Sequence, residues 1–488
     1  MRNILILLTF SLILQGAHAQ VFRFIVAKDG SGTDTTLQAA IDKCPENARS
    51  IIFIRKGTYF GQTSIGTKTT PGNKFISLIG EDRDGVILTY NKSLSMVTKF
   101  EEATTVQVYS KDFYAENITF VNSAGNTGQA LALYNAGDRY TLKNCVLKGY
   151  QDTYRTKKGT RGYLKSCRIE GAVDYIYAGG TVFFDDCELF CLKGGGYIVA
   201  PEDAFATIPK SLTVSQKFLR LGFIFKNCNI TAEEGVADGS YFLGRPWNTT
   251  AGAFYLNCTL GKHINTKGWK EWNGNETTAS FAEYKNKKPD GTLVDTLGRV
   301  SWSFQLPQAD VDNLLTTTAV YARISTEPYN PEAICIQPDI PGNIRTNQSG
   351  YTWNSIKGAS GYMILKGGQY LTTTTDTTFV DLTMGPGAIT IKTIGLQGQL
   401  SREGSVSTGI SEPAENKINI RYHAGNIYTD KHVMLEIYNT AGKLIKDFTS
   451  ESTVFPIELK SGVYIIQLKN SGIKQNGIKL IITPNSSI

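Results

Sequence analysis

Beyond Ser50 the chain is written in short apolar runs of three to six residues separated by polar turns, and one phrase keeps returning. It reads aromatic or aliphatic, polar, Asn/Asp/Ser-Cys, polar, aliphatic, at residues 142–147, 164–169, 184–189, 225–230 and 256–260, with a variant lacking the cysteine at 115–120. No single phrase is large enough to bury its own apolar face. Stacked copies, however, create a continuous interior, with Ile118, Cys145, Cys167, Cys187, Cys228 and Cys258 in one column. A βαβ sheet would need a helix in every crossover, and the intervals between phrases are too short or too glycine-rich for that. The pattern predicts a mainly β chain built as a parallel β-helix.

Before the repeats, Phe22–Ala27 reads as a strand and Leu37–Ile41 has helical apolar spacing, placing a helix at the open end of the solenoid. The solenoid pattern fades after Trp302, and residues through Arg323 read as a return segment on the outside. Proline clusters at 328–331 and 338–341 mark a boundary. Alternating strands around Tyr351–Trp353, Gly361–Leu365, Thr378–Val380 and Ile389–Ile394 then predict a small β-sandwich, which resembles a fibronectin type III-like module. Further strands at 433–439, 461–469 and 477–482 predict a last β-rich unit. The expected division is a leader at 1–19, the β-helix at 20–330, the first sandwich-like unit at 331–410 and a second at 411–488.

Arg2-Asn3, the apolar run 4–14 and Ala17-His18-Ala19 form a basic, apolar, small-x-small series, the signature of an export signal. Nothing later is long and apolar enough to span a bilayer. A secreted or cell-surface location is expected. The net charge of +7 is spread without Lys/Arg blocks, which argues against nucleic acid as a partner and suits an anionic polymer. Eight cysteines in an exported chain make disulfides plausible. Spacing leaves two readings open for Cys167 and Cys187: a bond between successive coils, or buried thiols stacked in the core.

The four histidines are His18, His263, His423 and His432, so none falls between Gln20 and Lys262. A Ser-His-Asp triad and a histidine metal cluster are thereby excluded from most of the solenoid. What remains is carboxylate chemistry. Asp152, in Gly149-Tyr150-Gln151-Asp152-Thr153, and Asp174, in Val173-Asp174-Tyr175-Ile176-Tyr177, occupy matching places one coil apart. Neighbouring strands would bring them to about 4.8 Å on one outer face. Two carboxyls so close do not ionise equally. Arg245, in Leu243-Gly244-Arg245-Pro246-Trp247, is the cation expected to hold Asp174 charged. A nucleophile and an acid/base that need no metal or cofactor point to hydrolysis of a group carried on a polysaccharide.

These motifs carry a resemblance. With Val26–Gly32, Gly57-Thr58-Tyr59, Gly128–Leu133 and Gly268–Trp272, in order, they resemble the pectinesterase (pectin methylesterase) family over roughly Phe24 to Trp302. The resemblance implies a right-handed parallel β-helix that removes methyl esters from homogalacturonan. It implies Asp174 as nucleophile, Asp152 as acid and then base, and Gln129 and Gln151 as amide donors to the developing oxyanion. Arg245 would orient Asp174 and keep its pKa low; Trp247, Tyr177 and Val173 would meet the sugar chain, with Tyr175 in the core. The last unit resembles the C-terminal sorting domain of the type IX secretion pathway, which implies that machinery as a partner.

Three departures stand out: Phe60-Gly61 after Tyr59 in place of the usual glutamate, Ala178 where the family has glycine, and Tyr154-Arg155 where it has Leu-Tyr. Arg155 offers a carboxylate fork in place of a groove-lining tyrosine. The competing readings are another pectic β-helix enzyme, a polygalacturonase or lyase, and a secreted pectin-binding protein without catalysis.

Overall fold

A computed structural model describes residues 21–203, 211–214, 217–347, 350–381, 388–406, 420–423, 426–439, 443–460, 462–469 and 478–482. The leader at 1–19 lies outside them. Three parallel sheets of eleven, seven and eight strands run along the solenoid, a complete coil adding one strand to each sheet and the end coils only to some of them. The helix Leu37–Lys43, capped by the Thr36 hydroxyl on the Ala39 amide, buries Leu37, Ala40 and Ile41 at the N-terminal end of the core.

The recurring phrase has a backbone cause. Asn117, Asn144, Ser166, Asp186, Asn227, Asn257 and Lys285 all adopt positive φ, between 44° and 59°. From Asn117 to Asn257, one such residue per coil turns the chain from the eleven-stranded sheet into the eight-stranded one. Asn and Asp tolerate this left-handed conformation better than other residues with a Cβ. The residue after each corner points inward, which explains the buried Ile118–Cys258 column. Side chains also stack down the interior: Phe184, Phe225 and Tyr255 lie 4.5 Å apart, centroid to centroid, in successive coils.

Of the two readings left open for Cys167 and Cys187, the structure shows the second: both thiols are free and buried. They occupy equivalent corners between in-register strands, where the spacing set by the ladder exceeds the Cβ separation a disulfide needs. Each thiol donates instead to a backbone carbonyl, Cys187 to Leu164 of the preceding coil at 3.4 Å and Cys167 to Lys165 at 3.5 Å.

Outside the eleven-stranded sheet two apolar covers are laid. Helices Gln308–Leu314 and Thr317–Ala322 bring Val311, Leu315, Val320 and Tyr321 onto Tyr163, Phe183, Ile224 and Phe254. Nearer the N-terminus, Met363, Leu365, Ile394 and Leu400 pack on Phe22, Ile25, Ile51, Phe53 and Ile79. Met363, Leu365 and Ile394 belong to a four-stranded antiparallel sheet and Leu400 bridges to Ile394 at its edge, while a separate three-stranded antiparallel sheet also lies between Arg345 and Phe379. The solenoid and these sheets make one compact unit ending at Ser405. The second unit is antiparallel, with the long strand Asn426–Asn439 paired to Leu444–Pro456 and Gly462–Lys469 around Ile427, Leu435, Ile437 and Ile466. No helix among the described residues is long and apolar enough to cross a membrane.

Candidate active site

The seven-stranded sheet carries on its outer face a grid of polar and aromatic residues set by register. Gln129, Gln151, Val173, Tyr197 and Phe242 succeed one another across coils in one column. Tyr134, Arg155, Tyr177 and Ala200 form the next. Asp152 and Asp174 follow Gln151 and Val173, each with a left-handed backbone, φ 64° and 47°. Both sit where the chain enters this sheet. The glycines ahead of them are required by close approach. A Cβ at Gly171 would stand 2.2 Å from Tyr175 Cβ, and one at Gly149 would meet Thr153 Oγ1 at 2.6 Å. Thr153 is fully buried and pins the first turn by donating its hydroxyl to the Glu170 carbonyl at 2.9 Å.

Asp174 and Asp152 are only 6% and 7% exposed. Arg245 reaches Asp174 with two hydrogen bonds, Nε to Oδ1 at 3.0 Å and Nη2 to Oδ2 at 2.5 Å. The guanidinium is itself clamped, its Cζ lying 3.9 Å from the Tyr197 ring centroid and 4.0 Å from that of Trp272. Such a fork is held in one orientation by two aromatic faces and one carboxylate.

The electrostatics separate the two acids. Burial, the negative charge of Asp174 next to it, and incomplete compensation by Tyr177, Arg155 and Arg245 push Asp152 up to about 7. Asp174 is also raised above its ordinary value by burial, although the hydrogen bonds and charge of Arg245 pull against that. The expectation of a lowered pKa for Asp174 is therefore corrected: loss of water outweighs the arginine. The order of ionisation is as the pairing requires, with Asp174 losing its proton first and Asp152 keeping one near neutrality.

The Tyr177 hydroxyl is buried beside Asp152 but falls short of hydrogen-bond geometry with it. The part-buried Gln129 and Gln151 flank the acids with no side-chain partner among the described residues. Val173 is half-buried in the same column, and Trp247 is 42% exposed with its ring 5.9 Å from that of Tyr177. Tyr175 lies in the core. Ala178, the residue that replaces a glycine, is buried at φ 75°, a conformation that costs an alanine about 1 kcal/mol or more. Arg155 projects into the same face against Phe100, Tyr134 and Tyr177. His263 is buried against Tyr241 with its pKa lowered to about 4 by desolvation, a neutral packing residue away from this face.

Phe100, Tyr134, Tyr197 and Trp272 were not singled out in the sequence. Trp272 stood at the end of a quoted motif without a role. The other three lie far apart in the chain and meet only through register between coils.

A model described as a secretion system C-terminal sorting domain matches residues 412–483. Pectinesterase 4 of Arabidopsis thaliana is 32% identical over 301 residues, covering 59% of this chain and 49% of that protein. The chain thus spans about half the length of the plant relatives it matches. Among solved structures, pectin methylesterase from carrot covers 63% of this chain and 97% of its own, with a TM-score of 0.55 and 25% identity. A pectin methylesterase in complex with a hexasaccharide covers 64% of this chain and 98% of its own, with a TM-score of 0.50 and 25% identity. The model described as Pectinesterase matches residues 23–321, more than half of the chain, and with the aspartate pair standing on the matched coils the chain belongs to the pectinesterase family.

Proposed function

We propose that this protein hydrolyses methyl esters of homogalacturonan, releasing methanol and leaving free uronate carboxylates. One arrangement carries the reading: a buried carboxylate, gripped by an aromatic-clamped arginine, beside a second carboxyl that keeps its proton to about 7. In this scheme an ionised Asp174 oxygen attacks the ester carbonyl carbon. The negative charge that develops on the carbonyl oxygen faces the free amides of Gln129 and Gln151. The tetrahedral species collapses with loss of the methoxy group, which leaves as methanol by taking the proton of Asp152 and leaves an anhydride on Asp174. Asp152, now anionic, removes a proton from water as the water attacks the anhydride. Cleavage frees the uronic acid, which loses its remaining proton to solvent, and leaves Asp174 ionised and Asp152 protonated as at the start.

Trp247, Tyr177 and Val173 serve the sugar chain: the exposed indole of Trp247 suits an apolar ring face, and the buried Tyr177 packs beneath it. The structure with a bound hexasaccharide is in keeping with an oligosaccharide lying across this face. The stretch at 331–410 is read as an accessory module. The sorting-domain match supports delivery by the type IX machinery to the cell surface or beyond.

The deciding experiment follows methanol and chain length together on methyl-esterified pectin. Methanol without chain shortening is expected from the native protein. Asp174→Asn and Asp152→Asn should each lower kcat by at least about a thousandfold while the fold, judged by circular dichroism, persists. A folded Asp174→Asn protein with native turnover would refute the nucleophile. Chain cleavage without methanol would place the protein among the depolymerising enzymes, and binding with neither among the non-catalytic ones.

A further inference from the structure

Most of the arginines along the solenoid are paired with carboxylates. Arg245 holds Asp174, Arg161 holds Asp138, Arg139 holds Asp112 and Arg299 holds Glu283, each with hydrogen bonds to the carboxylate. Arg155 is different. Its strand, Tyr154–Thr156, runs between those of Tyr134 and Tyr177, and its Cζ lies 4.9 Å from the Tyr134 ring centroid, 5.7 Å from that of Tyr177 and 4.8 Å from that of Phe100. Nε is buried without a hydrogen-bond partner, and no carboxylate among the described residues forms an ion pair with the guanidinium. The residue nevertheless keeps a part-exposed surface. Asp152 and Glu202 feel its charge but do not touch it.

Desolvating a guanidinium is costly unless an anion or a full set of hydrogen bonds replaces the lost water. Aromatic faces supply part of that compensation and leave the planar fork unfilled. The fork stands in the column of Tyr177, beside the two aspartates, on the face assigned to the polysaccharide. A methyl ester carries no charge for it to bind. A uronate that has already lost its ester presents a planar carboxylate of matching geometry.

We propose that Arg155 is a specificity-determining residue that binds the free carboxylate of a uronate neighbouring the ester under attack, so that partly de-esterified chains are preferred over fully esterified ones. This rests on the esterase reading above and deepens it by naming the neighbour the site selects. Charge-assisted hydrogen bonds of this kind correspond to roughly tenfold or more in affinity.

The test measures kcat and KM for methanol release from galacturonate oligomers of one length, either fully methyl-esterified or carrying defined free carboxylates. It uses the full chain and the variants Arg155→Met and Arg155→Lys. The native protein should favour the partly de-esterified oligomers. Arg155→Met, which keeps a long apolar stem among the three rings, should reduce kcat/KM on them about tenfold more than on fully esterified ones, chiefly through KM. Arg155→Lys should recover part of the loss. An equal fall on both substrates, accompanied by a shifted alkaline limb of the pH profile, would mean that Arg155 acts only through Asp152 and would overturn the proposal. So would an unchanged preference in Arg155→Met. Absence of methanol from either oligomer with the native protein would instead strike the esterase reading itself.

Discussion

Asp152 is the residue through which this site should respond to pH. The reaction needs Asp174 ionised and Asp152 protonated. Activity measured as kcat/KM is therefore expected to rise with pH above the ordinary aspartate range and to fall through about 7. The same shift has a stability consequence of opposite use. A carboxyl with a raised folded-state pKa binds its proton more tightly when folded, so its contribution is present below the unfolded value and is lost as pH climbs through about 7. Asp152→Asn removes that loss, which is on the order of 4 kcal/mol at its greatest. The variant should melt above the native protein by a margin that widens from about pH 4 to about pH 8, while activity collapses. A margin that is constant across that range would show that Asp152 is not held protonated. At this scale the aspartates, glutamines and Arg245 were legible because each sits in a short contiguous motif. The aromatic clamp around Arg245 was not. Tyr197 and Trp272 close on the guanidinium from strands and loops separated by some coils, a proximity that no local pattern records.

Among elements, the corner between the eleven- and eight-stranded sheets was half visible. Asn, Asp or Ser before an inward cysteine was readable as a turn signal, and the left-handed backbone at Asn144, Asp186, Asn227 and Asn257 is its physical basis. The sequence could not decide what the cysteines beside those corners do, because stacking and bonding ask for the same spacing along the chain. Coil register decides it: side chains on adjacent in-register strands run parallel, and each Sγ finds a carbonyl. Asn227 offers a clean test of the corner, since its side chain is exposed and the effect of replacing it lies in the backbone. Asn227→Val should destabilise the protein by about 1–2 kcal/mol, the cost of a β-branched residue in the left-handed region. Asn227→Gly should remain close to the native value. Urea unfolding followed by tryptophan fluorescence measures both, and equal stability of the two variants would remove the conformational explanation.

For the whole molecule, the sequence showed three β-rich stretches but not how the second relates to the first. The clue was there in Ile51-Ile52-Phe53-Ile54, a run apolar on both faces of a strand, which is the mark of a sheet covered on both sides. Phe53 stacks on Phe22 at 4.9 Å and meets Tyr370 at 5.0 Å, so the four-stranded sheet covers this part of the solenoid's outer face. The unit from Val406 onward has its own core at Leu435, Ile437 and Ile466. That core is built from residues of the last unit alone, so the solenoid's core residues do not depend on it. A chain ending at Ser405 is accordingly expected to release methanol with native kcat and KM. In a host with a type IX pathway, its activity should disappear from the cell surface and medium and accumulate inside the cell envelope. Fractionation with a methanol assay on each fraction reads both halves of the expectation. Loss of activity in the truncated protein would show that the last unit supports the solenoid, and undiminished export would show that it does not address the protein to its destination.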